Sequence, residues 1–400
     1  MTLPRRLVKR CSAPRSIDRL QQLLHRSTNP QLYPLAHRFV KGVPLYQGAS
    51  LASRLAQSSG SETDLAERLM DEWHHVLGRG PGAVVITDLV PTSAVDEAGG
   101  AFARIAQSER AARSGGGGDH FASSGANVRI WNSFEKLAMD SPSTFVRYHS
   151  STLLDLVCEA WLGPRYQMTA QLNNVMPGGA GQKPHRDYHL GFQSQSQAQR
   201  FPAAAHIASQ HLTLQGAVAQ SDMPLETGPT LLLPGSQLLK SGYIDFHEAQ
   251  VQDWARDSFV QLELRKGDGL FFNPALIHAA GTNRTADVVR SANLLQISSA
   301  FGRPMEHVDR TGITLAVFTR LRALYAGQQP THPSGLRALV RAVARGYAFP
   351  TNLDLDRPSP DGGMPTTEQD LLWQALGEGW HASRFAGEMQ RLTAKRPASM

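Results

Sequence analysis

The sequence predicts a mainly β domain with flanking helices, its core an antiparallel sandwich or barrel of the jelly-roll (double-stranded β-helix) kind. Three observations point there. From Tyr166 to Ser298 short apolar stretches alternate with turns rich in Gly and Pro: YQMTAQLNNV, the HRD segment, HLTLQGAVA, PTLLLPG, FVQLELRKG, GLFFNP and VVRSANLLQIS. Strands of that length and spacing build sandwiches and barrels, and a jelly roll offers a wide mouth for a ligand. The stretch before them reads as helix, strand, helix, and the stretch after Phe301 reads as helices again.

Each element follows from local pattern. Ser61-Glu62-Thr63-Asp64 caps a helix that runs to about Leu77, with Leu65, Leu69, Trp73 and Val76 at helical spacing. Gly80-Pro81-Gly82 stops it, Ala83 to Val90 is a compact apolar strand, and a second helix covers about Ser93 to Arg113. The four glycines 115–118 form a loop and a candidate lid. Gln171 to Met176 is a strand entering the Pro177-Gly178-Gly179 turn, and KPHRDYHL follows as an extended segment. Past the barrel, helices are expected over Ile313 to Tyr325 and Ser334 to Tyr347, the latter with Leu336, Leu339, Val340 and Val343 on one side. Arg337, Arg341 and Arg345 form a basic stripe on that helix, read as a solvated face. The domain plan is a basic N-terminal segment over 1–60, a jelly-roll domain over 61–302 and a C-terminal helical extension over 303–400, packed on or beside the core.

Composition narrows the function classes. With 41% hydrophobic and 18% charged residues in 400, the chain can bury a sizeable core. No apolar run approaches the ~20 residues of a membrane span. The net charge is +6, but residues 1–45 carry nine Lys/Arg against Asp18 alone and residues 310–350 carry six Arg and no acid. The rest is therefore net negative, which argues against a nucleic-acid partner for the central segment. Two cysteines, Cys11 and Cys158, make neither a disulfide framework nor a Cys-rich zinc site. A cytoplasmic protein is expected, with a transit peptide as the alternative reading of the Arg-rich start.

The chemistry concentrates in His185-Arg186-Asp187 and in His278, which follows the strand Leu270 to Asn273. On an extended segment His185 and Asp187 project to one side, so both can reach one ion. Two His and one carboxylate leave coordination positions open, the arrangement that suits non-haem Fe(II). His189 would extend the alternation on the same face, as a substrate contact or a wall residue. HRD is not a kinase catalytic loop, because Phe192 stands where that motif needs Asn. The Gly115 run is not a dinucleotide fingerprint, because a helix and not a strand precedes it.

The series PHRDYH, GPTLLLPGS (Gly228 to Ser236), KGDGLFFNP leading to His278, and Arg290 in VVRSANLLQIS resembles the phytanoyl-CoA dioxygenase-like family of Fe(II)/2-oxoglutarate oxygenases, over roughly Pro81 to Phe301. The resemblance implies Fe(II) on His185, Asp187 and His278, with 2-oxoglutarate and O2 as co-substrates. It implies Arg290 as the grip on the distal carboxylate of 2-oxoglutarate, with Gln171 and Asn173 placing amides near 2-oxoglutarate or the substrate. It also implies hydroxylation or another oxidation of a small molecule, and Asp187 disfavours chlorination, since related halogenases lack that carboxylate. Arg129 and Trp131 are candidates for the substrate entrance. The alternatives are a cupin-like metal enzyme that does not use 2-oxoglutarate and a non-catalytic jelly-roll binding protein.

Overall fold

The computed structural model describes residues 13–24, 28–57, 62–112, 127–326, 334–358 and 363–396. Eleven strands are present among them: β1 (Arg38–Val40), β2 (Val43–Gln47), β3 (Ala83–Thr87), β4 (Asn127–Ile130), β5 (Gln167–Val175), β6 (Thr213–Ala219), β7 (Leu231–Leu232), β8 (Val260–Gln261), β9 (Gly269–Phe272), β10 (His278–Ala279) and β11 (Arg290–Ser298). Eight form one sheet in the order β1-β2-β3-β9-β6-β11-β5-β4, and β10-β7-β8 form a second, small sheet. All pairings are antiparallel except β2 with β3.

Period-two alternation sets what each face of the large sheet does. On β11, Leu295 and Ile297 enter the core shared with the helices, while Ala292 joins a second apolar cluster with Val85, Ala217, Leu232, Leu264 and Phe272 between the two sheets. On β5, Met168, Ala170 and Leu172 take the helical side, so Gln171 and Asn173 are left facing the other sheet. The helical side is covered by Glu62–Gly78, Thr92–Ala112 and three consecutive helices within 133–162, joined by helices from the last hundred residues.

Several expectations change on contact with the structure. Within the basic N-terminal segment, β1 and β2 join the large sheet, so the sheet begins before residue 61. PTLLLPG forms a strand of only two residues, because Pro229 and Pro234 lack the N–H a ladder needs and Gly228 and Gly235 turn left-handed at φ 71° and 85°. FVQLELRKG pairs with it over two residues and bridges Met223 through Leu264. The helix from Ser334 ends at Val343 and not near Tyr347, because the Arg345 backbone N–H is captured by the Glu368 carboxylate at 3.0 Å. The Ser61 cap and the 115–118 loop lie outside the described residues. Among the described residues, no helix is long and apolar enough to cross a membrane.

The basic stripe is not a solvated face. Arg337 Nε lies 3.0 Å from the fully buried Asp155 carboxylate, Arg341 bridges Asp155 at 3.1 Å and Glu159 at 2.5 Å, and Arg345 reaches buried Glu368 at 2.7 Å. Asp155 and Glu159 are one turn apart on the helix Thr152–Leu162, which presents them as a pair. The stripe therefore clamps the C-terminal helices to the core.

Candidate metal centre

The backbone brings the two histidines together before their side chains matter. His185 and His278 exchange both backbone hydrogen bonds, N–H to O at 2.9 and 3.0 Å, as an isolated antiparallel bridge. Asp187 N–H then donates to Pro274 O at 3.1 Å, fixing the third residue against the loop that leads to His278. The rings of the two histidines come to 4.4 Å between centroids, and Phe272 packs on His278 at 4.7 Å.

Each ring is oriented by a carbonyl. His185 Nδ1 is 2.8 Å from Lys183 O and His278 Nδ1 is 2.9 Å from Leu276 O. A carbonyl can only accept, so the proton of each neutral ring sits on Nδ1 and both Nε2 atoms are bare. This second contact is the usual support of a metal-ligating imidazole. Asp187 Oδ2 lies 3.3 Å from His278 Nε2 and Asp187 Oδ1 lies 3.7 Å from His185 Nε2, and one ligand atom from each residue falls within 4.8 Å of the other two. Two imidazole nitrogens and one carboxylate at such separations can hold a divalent cation on one face.

The electrostatics favour that occupancy. Burial alone pushes the Asp187 carboxyl up, but the hydrogen bond and positive charge that His278 and His185 offer when protonated, with the Gln215 amide, outweigh it and bring it down to about 2. Burial, then the neighbouring His278, pushes the His185 imidazole below its ordinary value. Both shifts leave the ligand forms, carboxylate and neutral ring, populated near neutrality.

A cavity of about 580 Å³ opens from this triad across the inner face of the large sheet. Arg290 lines it, 6% exposed, its Nη1 donating only to Thr227 O at 3.4 Å and Gly281 O at 3.3 Å. Among the described residues no carboxylate pairs with it, and burial pushes the guanidinium down to about 10. A buried cation without a counter-ion is costly, and a fork in this position can receive an anion. Asn173 also lines the cavity, and its buried Oδ1 has no hydrogen-bond partner among the described residues. Gln171 lines it too and accepts from Arg129 Nη1 at 2.8 Å.

The substrate candidates separate. Arg129 lines the cavity, whereas Trp131 does not; its ring lies under the Arg129 guanidinium at 5.0 Å and supports it. His189 does not share a face with His185 and Asp187. Tyr188 and His189 adopt left-handed φ values of 61° and 47°, which break the extended alternation, and His189 Nε2 instead meets Thr213 Oγ1 at 3.3 Å. HRD is accordingly a bridge residue followed by a turn and not a strand. Arg186 points away from the site, buried over the Tyr243 ring with Nη2 donating to Ser236 O. A Cβ at Gly242 would fall 2.0 Å from that guanidinium, so any side chain there would displace Arg186.

One residue of the centre escaped the sequence reading. Gln215 on β6 donates from Nε2 to Asp187 Oδ2 at 2.6 Å. Its signal was a lone amide on the inward phase of the otherwise apolar TLQGAVA.

A family model described as phytanoyl-CoA dioxygenase (PhyH) matches residues 78–292. Dioxygenase trt7 of Aspergillus terreus (strain NIH 2624 / FGSC A1156) is 27% identical over 180 residues, 45% of this chain. The chain spans 57% of the length of that curated relative. Among solved structures, the epimerase SnoN in complex with Fe3+, alpha ketoglutarate and nogalamycin RO is 18% identical at a TM-score of 0.40, covering 58% of this chain and 85% of SnoN. The non-heme alpha ketoglutarate dependent carbocyclase SnoK from nogalamycin biosynthesis is 18% identical at a TM-score of 0.43, covering 59% of this chain and 86% of SnoK.

Proposed function

The chain belongs to the phytanoyl-CoA dioxygenase (PhyH) family, and from that membership we propose that it is an Fe(II)- and 2-oxoglutarate-dependent dioxygenase that oxidises a C–H bond of a small molecule, by preference as a hydroxylase. The observation that carries the reading is the convergence of two bare imidazole nitrogens and one carboxylate beside a buried guanidinium that has no counter-ion among the described residues. In this reading the two sheets are the halves of a jelly roll, residues 61–302 with β1 and β2 form the oxygenase unit, and the helices of 303–400 are its support.

His185, Asp187 and His278 are the proposed metal ligands. Fe(II) with 2-oxoglutarate and O2 supplies the oxidising power for C–H cleavage, with succinate and CO2 as by-products. Arg290 offers a planar, permanently charged fork to the distal carboxylate of 2-oxoglutarate. Asn173 Oδ1 is an acceptor for a donor on the substrate, and Gln171 with Arg129 orients the same wall. Phe272, Leu264, Met223 and Leu294 line the cavity and keep water from the reacting centre. The lining combines amides and cations with a larger apolar surface, which fits a small molecule that carries both polar groups and a hydrocarbon frame.

The test is anaerobic addition of Fe(II) and 2-oxoglutarate, watched for the visible metal-to-ligand charge-transfer band, followed by oxygen-dependent succinate release. Wild type is expected to show both. The reading is lost if wild type shows neither, or if Asp187→Ala and Arg290→Ala match wild type in both assays.

A further inference from the structure

Gln215 stands on β6, 3% exposed, with its side chain on the cavity side of the large sheet. A carboxylate only accepts, so the 2.6 Å contact with Asp187 Oδ2 fixes the amide with its nitrogen towards Asp187. The strand cannot drift from this position, because β6 is paired on both sides, Gln215 opposite Phe272 of β9 and opposite Gln296 of β11. The two carboxylate oxygens are therefore unequal. Oδ2, 3.3 Å from His278 Nε2, carries a short hydrogen bond from a rigid donor that occupies one of its lone pairs, whereas no amide or other hydrogen-bond donor among the described residues is bonded to Oδ1, which faces His185 Nε2 at 3.7 Å.

This asymmetry matters because a carboxylate can ligate through one oxygen or through both. In an octahedral site, two imidazoles and a one-oxygen carboxylate leave three exchangeable positions; a chelating carboxylate leaves two. A co-substrate that takes two positions then leaves either one position or none for a further small ligand. We propose that Gln215 is a positioning residue that holds Asp187 as a one-oxygen ligand, through Oδ1, and so keeps that last position open. The proposal rests on the metal reading above. Removing the amide N–H frees the Oδ2 lone pairs next to the metal, and the carboxylate closes into a chelate.

The experiment uses the full chain loaded with Mn(II), whose effect on water-proton relaxation reports the number of exchangeable waters on the ion. Adding 2-oxoglutarate to wild type should lower the inner-sphere relaxivity to about one third, three waters becoming one. For Gln215→Met, which keeps side-chain length but has no donor, the relaxivity before 2-oxoglutarate should be about two thirds of wild type and should fall nearly to the outer-sphere level after it. Gln215→Asn keeps the amide but draws it back by one methylene, and it should behave as Gln215→Met does. It also guards against failure of the first variant to fold, which circular dichroism would reveal. If either folded variant binds Mn(II) and reproduces the wild-type pair of relaxivities, the role of Gln215 is refuted while the metal reading stands. If wild type itself shows no bound Mn(II), the metal reading fails and this inference falls with it.

Discussion

At the scale of single residues, the strongest constraints are burial and protonation. His149 is fully buried against Phe134, Phe145 and Tyr148, with ring centroids 4.9, 4.5 and 5.0 Å away, and neither ring nitrogen has a partner among the described residues. Burial therefore holds its imidazole at about 3. Because the folded value lies below the unfolded one of about 6.5, the unfolded chain binds the extra proton as pH falls. Stability is full above the unfolded value and is lost progressively from there towards pH 3, by about 2 kcal/mol at pH 5 from this residue alone. Urea denaturation at pH 7.5 and pH 5 should show that loss in wild type and a smaller one in His149→Phe. Arg290 yields a second prediction. Its fork is buried in the cavity wall and has no acid partner among the described residues. Arg290→Ala should weaken 2-oxoglutarate binding by roughly 2 kcal/mol or more, and Arg290→Lys by less, since a point charge keeps attraction but loses the bidentate geometry. Titration of the visible band measures both.

At the scale of elements, the decisive feature is the helix Ser334–Val343 on the acidic turn of Thr152–Leu162. Asp155 accepts from Arg337, Arg341 and the Tyr166 hydroxyl with no exposed surface of its own. Removing one partner of a buried ion pair strands the others, so Asp155→Ala should cost roughly 3–5 kcal/mol. A solvated stripe would lose less than about 0.5 kcal/mol. Equilibrium unfolding in urea distinguishes the two. The helices and strands themselves were largely legible, because periodicity and Gly/Pro turns are local signals: Thr92–Ala112, Gln167–Val175 and Arg290–Ser298 fall close to where the pattern places them. The errors occurred where a distant group intervened. Glu368 ended a helix 23 residues earlier in the chain by taking the Arg345 N–H, and the fate of the basic stripe was settled by acids 182 and 186 residues away.

At the scale of the whole molecule, one apolar core runs from the large sheet into the last helices. Leu295 and Ile297 of β11 share it with Ile313, Phe318, Leu339, Leu372 and Phe385. Truncation after residue 302 should consequently give an aggregating or molten chain with weak near-ultraviolet circular dichroism, not a smaller folded oxygenase unit. A soluble fragment that retains a cooperative melt would overturn that expectation.

The sequence, through the spacing of His185, Asp187 and His278 and the family resemblance of the motifs around them, pointed to the donor types of the proposed metal centre. It also determined that Gln171 and Asn173 share one face of β5, because side-chain direction alternates along a strand. Only the tertiary structure decided that His189 turns away from His185 and Asp187, that Gln215 engages Asp187, and that Arg290 has no counter-ion among the described residues. The physical reason is the same in each case. Alternation is a property of neighbouring bonds, whereas a backbone reversal, a cross-strand hydrogen bond and the solvation of a charge depend on which distant segments pack around the residue.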